Sequence, residues 1–103
     1  MLLSLLPPSQ IIATLGARLR QQRLARNLVQ SELAGMAGVS TATLKRIEKT
    51  GQCSVEAWVR VIKALGLVAE LDGVFARSPE SIAQMEQAAA ASRRKRASRK
   101  SAP

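Results

Sequence analysis

The chain has no histidine and no tyrosine, and it contains one cysteine, one tryptophan and one phenylalanine. Each absence excludes some chemistry. Without His, and with one Cys, there are no ligands for a His/Cys zinc site and no Ser-His-Asp triad. A single cysteine cannot close an intrachain disulfide. Aromatics are 2% of the residues, so the core is expected to be aliphatic and base stacking on aromatic platforms is not expected as a binding mode. Acidic residues are scarce as well, seven against sixteen Lys and Arg. There is no long apolar run. The apolar start, Met1 to Leu6, ends at Pro7-Pro8 and is far shorter than the roughly 20 residues that span a bilayer. No basic residue precedes it, so it reads as an N-terminal extension (1–8) and not as a targeting signal. One cysteine and no signal peptide fit a cytoplasmic protein. No metal, cofactor or catalytic group is expected, and the chain is not expected to be an enzyme.

What is present fits one compact domain. The 103 residues are 47% hydrophobic, enough for a folded core. The net charge of +9 predicts an anionic partner, nucleic acid before a membrane surface. That charge is uneven. Arg93, Arg94, Lys95, Arg96, Arg99 and Lys100 crowd the last residues, and ten basic against seven acidic residues remain in 1–92. Two thirds of the net charge therefore sits on the tail 93–103, which is expected to be disordered.

Turn signals cut the rest into short helices. Ser9 after Pro7-Pro8 is a candidate N-cap for a first helix that carries Leu15, Leu19, Arg18, Arg20, Arg23 and Arg26 and closes at Asn27. A second helix from about Gln30 to Met36 stops at Gly38. Ser40 caps a third through about Glu48, and Ser54 caps a fourth from Val55 to Leu65 before Gly66. Leu67 to Phe75 fits a helix face through Leu67, Leu71, Val74 and Phe75 and alternates like a strand at Leu67, Ala69 and Leu71; a short helix is preferred because every element before it is helical. Ser78-Pro79-Glu80 opens a C-terminal helix (77–92) with almost no apolar stripe.

The segment Gln30-Ser-Glu-Leu-Ala-Gly-Met-Ala-Gly-Val-Ser-Thr-Ala-Thr-Leu-Lys-Arg-Ile-Glu-Lys49 has the pattern of a helix-turn-helix. Leu33 and Ala37 face inward, Ala34 is small where the next helix crosses, Gly38 takes the turn and Val39 plugs the angle between the helices. Leu44 and Ile47 bury the back of the third helix. Thr41, Ala42, Lys45, Arg46 and Lys49 are left outward, where a recognition helix meets a major groove. The blander alternative for Lys45 and Arg46 is a solvated helix face.

Over Leu19 to Leu67 the chain resembles the lambda-repressor-like, or Xre-type, family of DNA-binding regulators. Ser-Glu-Leu-Ala, Ala-Gly-Val-Ser, Arg-Ile-Glu and Lys-Ala-Leu-Gly-Leu stand at that family's spacing. The connection Glu48 to Val55 and the segment Trp58 to Leu71 look closest to HipB-type antitoxins. The resemblance implies an all-α, lambda-repressor-like helix-turn-helix domain (9–76) of four to five short helices, acting as a dimer on a palindromic operator. It further implies an autorepressor that restrains a HipA-like Ser/Thr kinase toxin. By the same resemblance, Gln30 matches a phosphate-contacting position, Thr41, Ala42 and Lys45 the base-reading positions, and Ser40, Arg46 and Lys49 phosphate contacts. Arg23 and Glu48 match a structural ion pair.

Two departures from the family stand out. Val29 replaces the usual Ser or Thr cap of the second helix, and Thr50 replaces the usual Gly after the third, shifting the turn onto Gly51. Leu67, Leu71, Val74 and Phe75 either cover the domain's own core or form the dimer contact. Arg93, Arg94, Lys95 and Arg96 belong to a DNA arm, a segment that orders on a protein partner, or a solubilising tail. The rival functions are a free-standing Xre-type repressor without a toxin and a non-specific architectural DNA binder.

Overall fold

The computed structural model describes residues 2–77 and 79–91, and the chain divides into two compact units, Met1–Ala69 and Glu70–Pro103. The described residues form only helices and turns: α1 (Pro8–Ala25), α2 (Gln30–Ala37), α3 (Thr41–Thr50), α4 (Val55–Ala64) and α5 (Pro79–Ala91), with 3-10 turns at Leu3–Leu5 and Val68–Leu71. The expected all-α class and its helix-turn-helix order are what the chain adopts.

Local chemistry sets the boundaries. α1 begins one residue before the candidate cap Ser9. Pro7 is extended, as a residue preceding proline is driven to be, and Pro8 takes the first helical position with its φ already helical. Pro7 offers no side-chain acceptor, so Ser9 lies inside the first turn and caps nothing. The helix ends at Ala25 with Arg26 as its C-cap, and Asn27 follows with φ 55°.

α2 starts after Val29, whose side chain has no acceptor. Half of a capping box survives, because Glu32 Oε1 accepts from the Val29 N–H at 2.9 Å. Gly38 ends α2 in the left-handed region at φ 72°, and the Val39 N–H returns to the Ala34 carbonyl. Ser40 Oγ accepts from Thr43 N–H at 3.0 Å to open α3, and Ser54 Oγ accepts from Ala57 N–H at 3.1 Å to open α4. α3 runs to Thr50, two residues past Glu48, and turns on Gly51 at φ 77°.

The first unit closes on one aliphatic core. Leu33, Leu44, Ile47 and Val61 are fully buried at its centre, each stabilising the fold by about 1.5–3 kcal/mol. Leu19, Ala34, Ala37, Ala57 and Leu65 complete it, with Leu28, Val39, Trp58, Ile62 and Leu67 packed around. α1 packs chiefly on α3, and α2 lies against both α3 and α4. A methyl at Gly16 would strike the Ile47 carbonyl, and one at Gly51 would strike the Ile12 carbonyl. The two glycines thus let the backbones of α1 and the end of α3 approach more closely than any side chain permits. Trp58 is half-buried against this core and ties the same corner by donating Nε1–H to the Gly51 carbonyl at 2.9 Å.

Leu67 to Phe75 takes a short helix and not a strand, but a 3-10 helix confined to Val68–Leu71 and not an α-helical face running to Phe75. The 3-10 turn ends at Leu71, hydrogen-bonded turns follow, and Phe75 has φ 55°, which no right-handed helix accommodates. Gly73 and the short length of the run leave nothing to propagate a helix. In α5 the side chains of 83–89 are exposed, in keeping with its missing stripe. The Ser78 cap and the tail with Arg93, Arg94, Lys95 and Arg96 lie outside the described residues.

Candidate nucleic-acid interface

α3 is amphipathic with little ambiguity. Leu44, Ile47 and Glu48 are buried, whereas Ala42, Lys45, Arg46 and Lys49 are exposed and Thr41 is half-buried at the first turn. Positions 42, 45, 46 and 49 follow the spacing of one helical face. Lys45 and Lys49 make no hydrogen bond or ion pair with the described residues, so two ammonium groups stand open to an anion.

The other predicted residues are partly committed. Ser40 accepts from Thr43 N–H and donates its hydroxyl proton to Thr43 Oγ1 at 2.9 Å. Arg46 donates Nε–H to the Gln52 carbonyl at 3.1 Å, which anchors the guanidinium at the end of α3 and leaves its Nη groups without a partner among the described residues. Thr50, which stands where the family has Gly, spans the same turn: its hydroxyl donates to the Arg46 carbonyl and accepts from Gln52 N–H. Arg46 shares a shallow groove of about 430 Å³ with Arg60, and Arg60 is occupied by Glu56 at 2.8 Å.

Behind this face lies a buried polar cluster. Arg23 donates Nε–H to Glu48 Oε2 at 2.7 Å and Nη2–H to Glu48 Oε1 at 3.0 Å, a two-pronged pair. Its remaining nitrogen donates to the Leu28 carbonyl at 2.7 Å, so one guanidinium ties the end of α1, the α1–α2 loop and α3. Gln30 completes the cluster by donating Nε2–H to Glu48 Oε1 at 3.0 Å. Burial pushes the Glu48 carboxyl up. Hydrogen bonds from Arg23 and Gln30 and the charges of Arg23 and Arg20 outweigh it and hold the carboxyl below its ordinary value. On Arg23 the hydrogen bond it donates to Glu48 raises the pKa, against burial, which lowers it.

Gln30 is therefore part of the scaffold as well as the first residue of α2. Spacing alone could not show this, since its partner lies 18 residues away. Thr43 and Gly16 were also absent from the sequence reading. A glycine inside a helical pattern was the available signal, because it costs about 1 kcal/mol and usually has a packing reason. Of the four apolar positions assigned to core or dimer, Leu67 packs against the core of the first unit. In the second unit Leu71 is half-buried, Val74 is exposed and Phe75 is 98% exposed. Cys53 sits half-buried in the α3–α4 loop, where burial pushes its thiol up against the lowering charge of Arg46.

A short helix held against a second through a glycine turn, with its apolar back in the core and an open cationic face, defines a helix-turn-helix DNA-binding domain. The comparison with known families agrees. A family model described as a helix-turn-helix domain matches residues 14–74, more than half of the chain, and the chain belongs to this Xre-like helix-turn-helix family. None of the curated proteins matches it. The protein is a DNA-binding regulator. Among the described residues no helix is long and apolar enough to cross a membrane.

Proposed function

We propose that this protein is a cytoplasmic, sequence-specific repressor. It binds a palindromic operator as a dimer and acts as the antitoxin of a HipA-like Ser/Thr kinase toxin, with no catalytic activity, cofactor or metal of its own. The observation that carries the DNA-binding part is the exposed face of α3. Thr41, Ala42 and Lys45 read bases there, with Lys45 donating to guanine O6 and N7 and the Thr41 and Ala42 methyls meeting thymine. Ser40, Arg46, Lys49 and the tail residues Arg93, Arg94, Lys95 and Arg96 hold phosphates, and Gln30 adds a phosphate contact through whatever its bond to Glu48 leaves free. In the dimer two α3 helices enter successive major grooves about 34 Å apart. Val74 and Phe75, with Leu71, are the contact between copies in this reading. The antitoxin assignment is supported by the likeness of Glu48–Val55 and Trp58–Leu71 to HipB-type chains.

Binding to the chain's own promoter region, set against scrambled DNA of equal length, tests the reading. Lys45→Ala is expected to cost about 1–3 kcal/mol on the promoter and almost nothing on scrambled DNA. Equal weakening on both makes Lys45 a phosphate contact, and no preference in the unaltered chain refutes specific repression. Co-purification with the product of an adjacent kinase gene is the corresponding test of the antitoxin role.

A further inference from the structure

We propose that Thr50 is a positioning residue for DNA binding: its hydroxyl closes a ring of hydrogen bonds that fixes the Arg46 guanidinium, so that Arg46 meets one backbone phosphate with both Nη groups already set. The ring begins and ends on Arg46. The Thr50 hydroxyl donates to the Arg46 carbonyl at 3.0 Å and accepts from the Gln52 N–H at 3.2 Å. The Gln52 carbonyl then accepts from Arg46 Nε–H at 3.1 Å. Gly51 makes this return possible. At φ 77° it reverses the chain directly after α3, and its N–H bonds the Ile47 carbonyl at 2.8 Å. A glycine at position 50, usual in the family, has no hydroxyl to close the ring, so the device comes from this chain's own departure.

A guanidinium carries its N–H donors in one plane. With Nε–H committed to Gln52, the plane is held and the two Nη groups remain as a fork that matches two oxygens of one phosphate. The cations on the outer face of α3 are therefore not alike. Lys45 and Lys49 are exposed and make no hydrogen bond or ion pair with the described residues, so each gives up its rotamer freedom on meeting an anion. Arg46 has given up much of that freedom before DNA arrives. Thr50 is itself exposed, but its one hydroxyl proton is spent on the Arg46 carbonyl and none is left for a phosphate. Its contribution has to pass through Arg46.

The role rests on DNA binding and on Arg46 as a phosphate contact, and on neither the dimer, the palindromic operator nor the toxin. Every duplex offers phosphates, so the effect of Thr50 belongs to promoter and scrambled DNA alike.

A double-mutant cycle in the full chain tests it, with affinity for promoter and scrambled DNA of equal length read by fluorescence anisotropy at several salt concentrations. Thr50→Ala is expected to weaken both duplexes by about two- to tenfold, with the log–log salt slope unchanged because no charge is lost. Thr50→Ser keeps the hydroxyl and should bind as the unaltered chain does. Arg46→Ala should weaken both duplexes and lower the slope by about 1, and Thr50→Ala added to it should cost nothing further. Arg46→Lys leaves the turn residues and the charge in place but removes the fork, so it should match Thr50→Ala in affinity and slope. Circular dichroism and urea midpoints show that each variant is folded in the assay. A Thr50→Ala loss that persists in the Arg46→Ala background overturns the proposal, as does full affinity in Thr50→Ala or Arg46→Lys. A loss confined to the promoter also overturns it and makes Arg46 a base reader. A coupled cycle in a chain without promoter preference upholds the positioning role while specific repression falls. A chain that holds neither duplex overturns both.

Discussion

Glu48 is the residue on which most of the interface depends. Its side chain is 3% exposed and its partner Arg23 is 8% exposed, so removing either leaves the other buried without its counter-charge. Glu48→Ala is expected to destabilise the protein by about 3–5 kcal/mol in urea unfolding, with α3 loosened from α1 in the folded remainder. The carboxyl is held below its ordinary value of 4.5, which fixes the sign of the pH effect. Its stabilisation is fully present above that value and is lost as pH falls through the lower value of the folded state. Stability measured from neutral to acid pH should fall in that window, and Glu48→Gln should remove that part of the dependence. The ion pair was visible in the sequence only through the family resemblance. Gln30 as its third member was not, because a hydrogen bond across 18 residues is a product of folding.

At the scale of elements, two defects invite substitution. Val29 occupies the cap of α2 with exposed, acceptorless methyl groups, while Glu32 already supplies the reciprocal half of the box. Val29→Ser is expected to raise stability by about 0.5–2 kcal/mol, read as a higher urea midpoint at unchanged slope. Gly16 is the opposite case. Any side chain there meets the Ile47 carbonyl and Gly51, so Gly16→Ala should cost about 1–3 kcal/mol by forcing α1 off α3, despite alanine's better helix propensity. A stabilised Gly16→Ala protein would mean that the two helices are free to separate. The starts and stops of α2 and α4 were legible to within about a residue, because caps and left-handed residues are local chemistry. α1 begins two residues earlier than a Ser9 cap implies, since Pro8 outcompetes Ser9 by taking the first helical position after the extended Pro7. The run after Leu67 is helical, as preferred over a strand, only across Val68–Leu71; its apolar pattern is too short to fix where that helix stops, and the left-handed Phe75 leaves no trace in the pattern.

At the scale of the whole molecule the charge distribution dominates. The first 92 residues are only mildly basic, and six cations crowd the tail. Promoter affinity should therefore fall steeply with salt. A chain ending at Ser92 should show a flatter log–log slope, by as much as about 5 if all six cations meet phosphates, while retaining its preference for promoter over scrambled DNA. An unchanged slope would assign the tail to a partner other than DNA.

The sequence by itself determined the helical class, the helix-turn-helix with its outward Ala42, Lys45, Arg46 and Lys49, and the asymmetry of charge. Periodicity, caps and net charge act over a few residues or over composition, where order along the chain is enough. Tertiary structure alone decided that Gln30 joins Arg23 and Glu48 and that Gly16 meets Ile47 and Gly51. Each of these depends on which surfaces the core brings within a few ångströms, and that proximity exists only once Leu33, Leu44, Ile47 and Val61 have closed together.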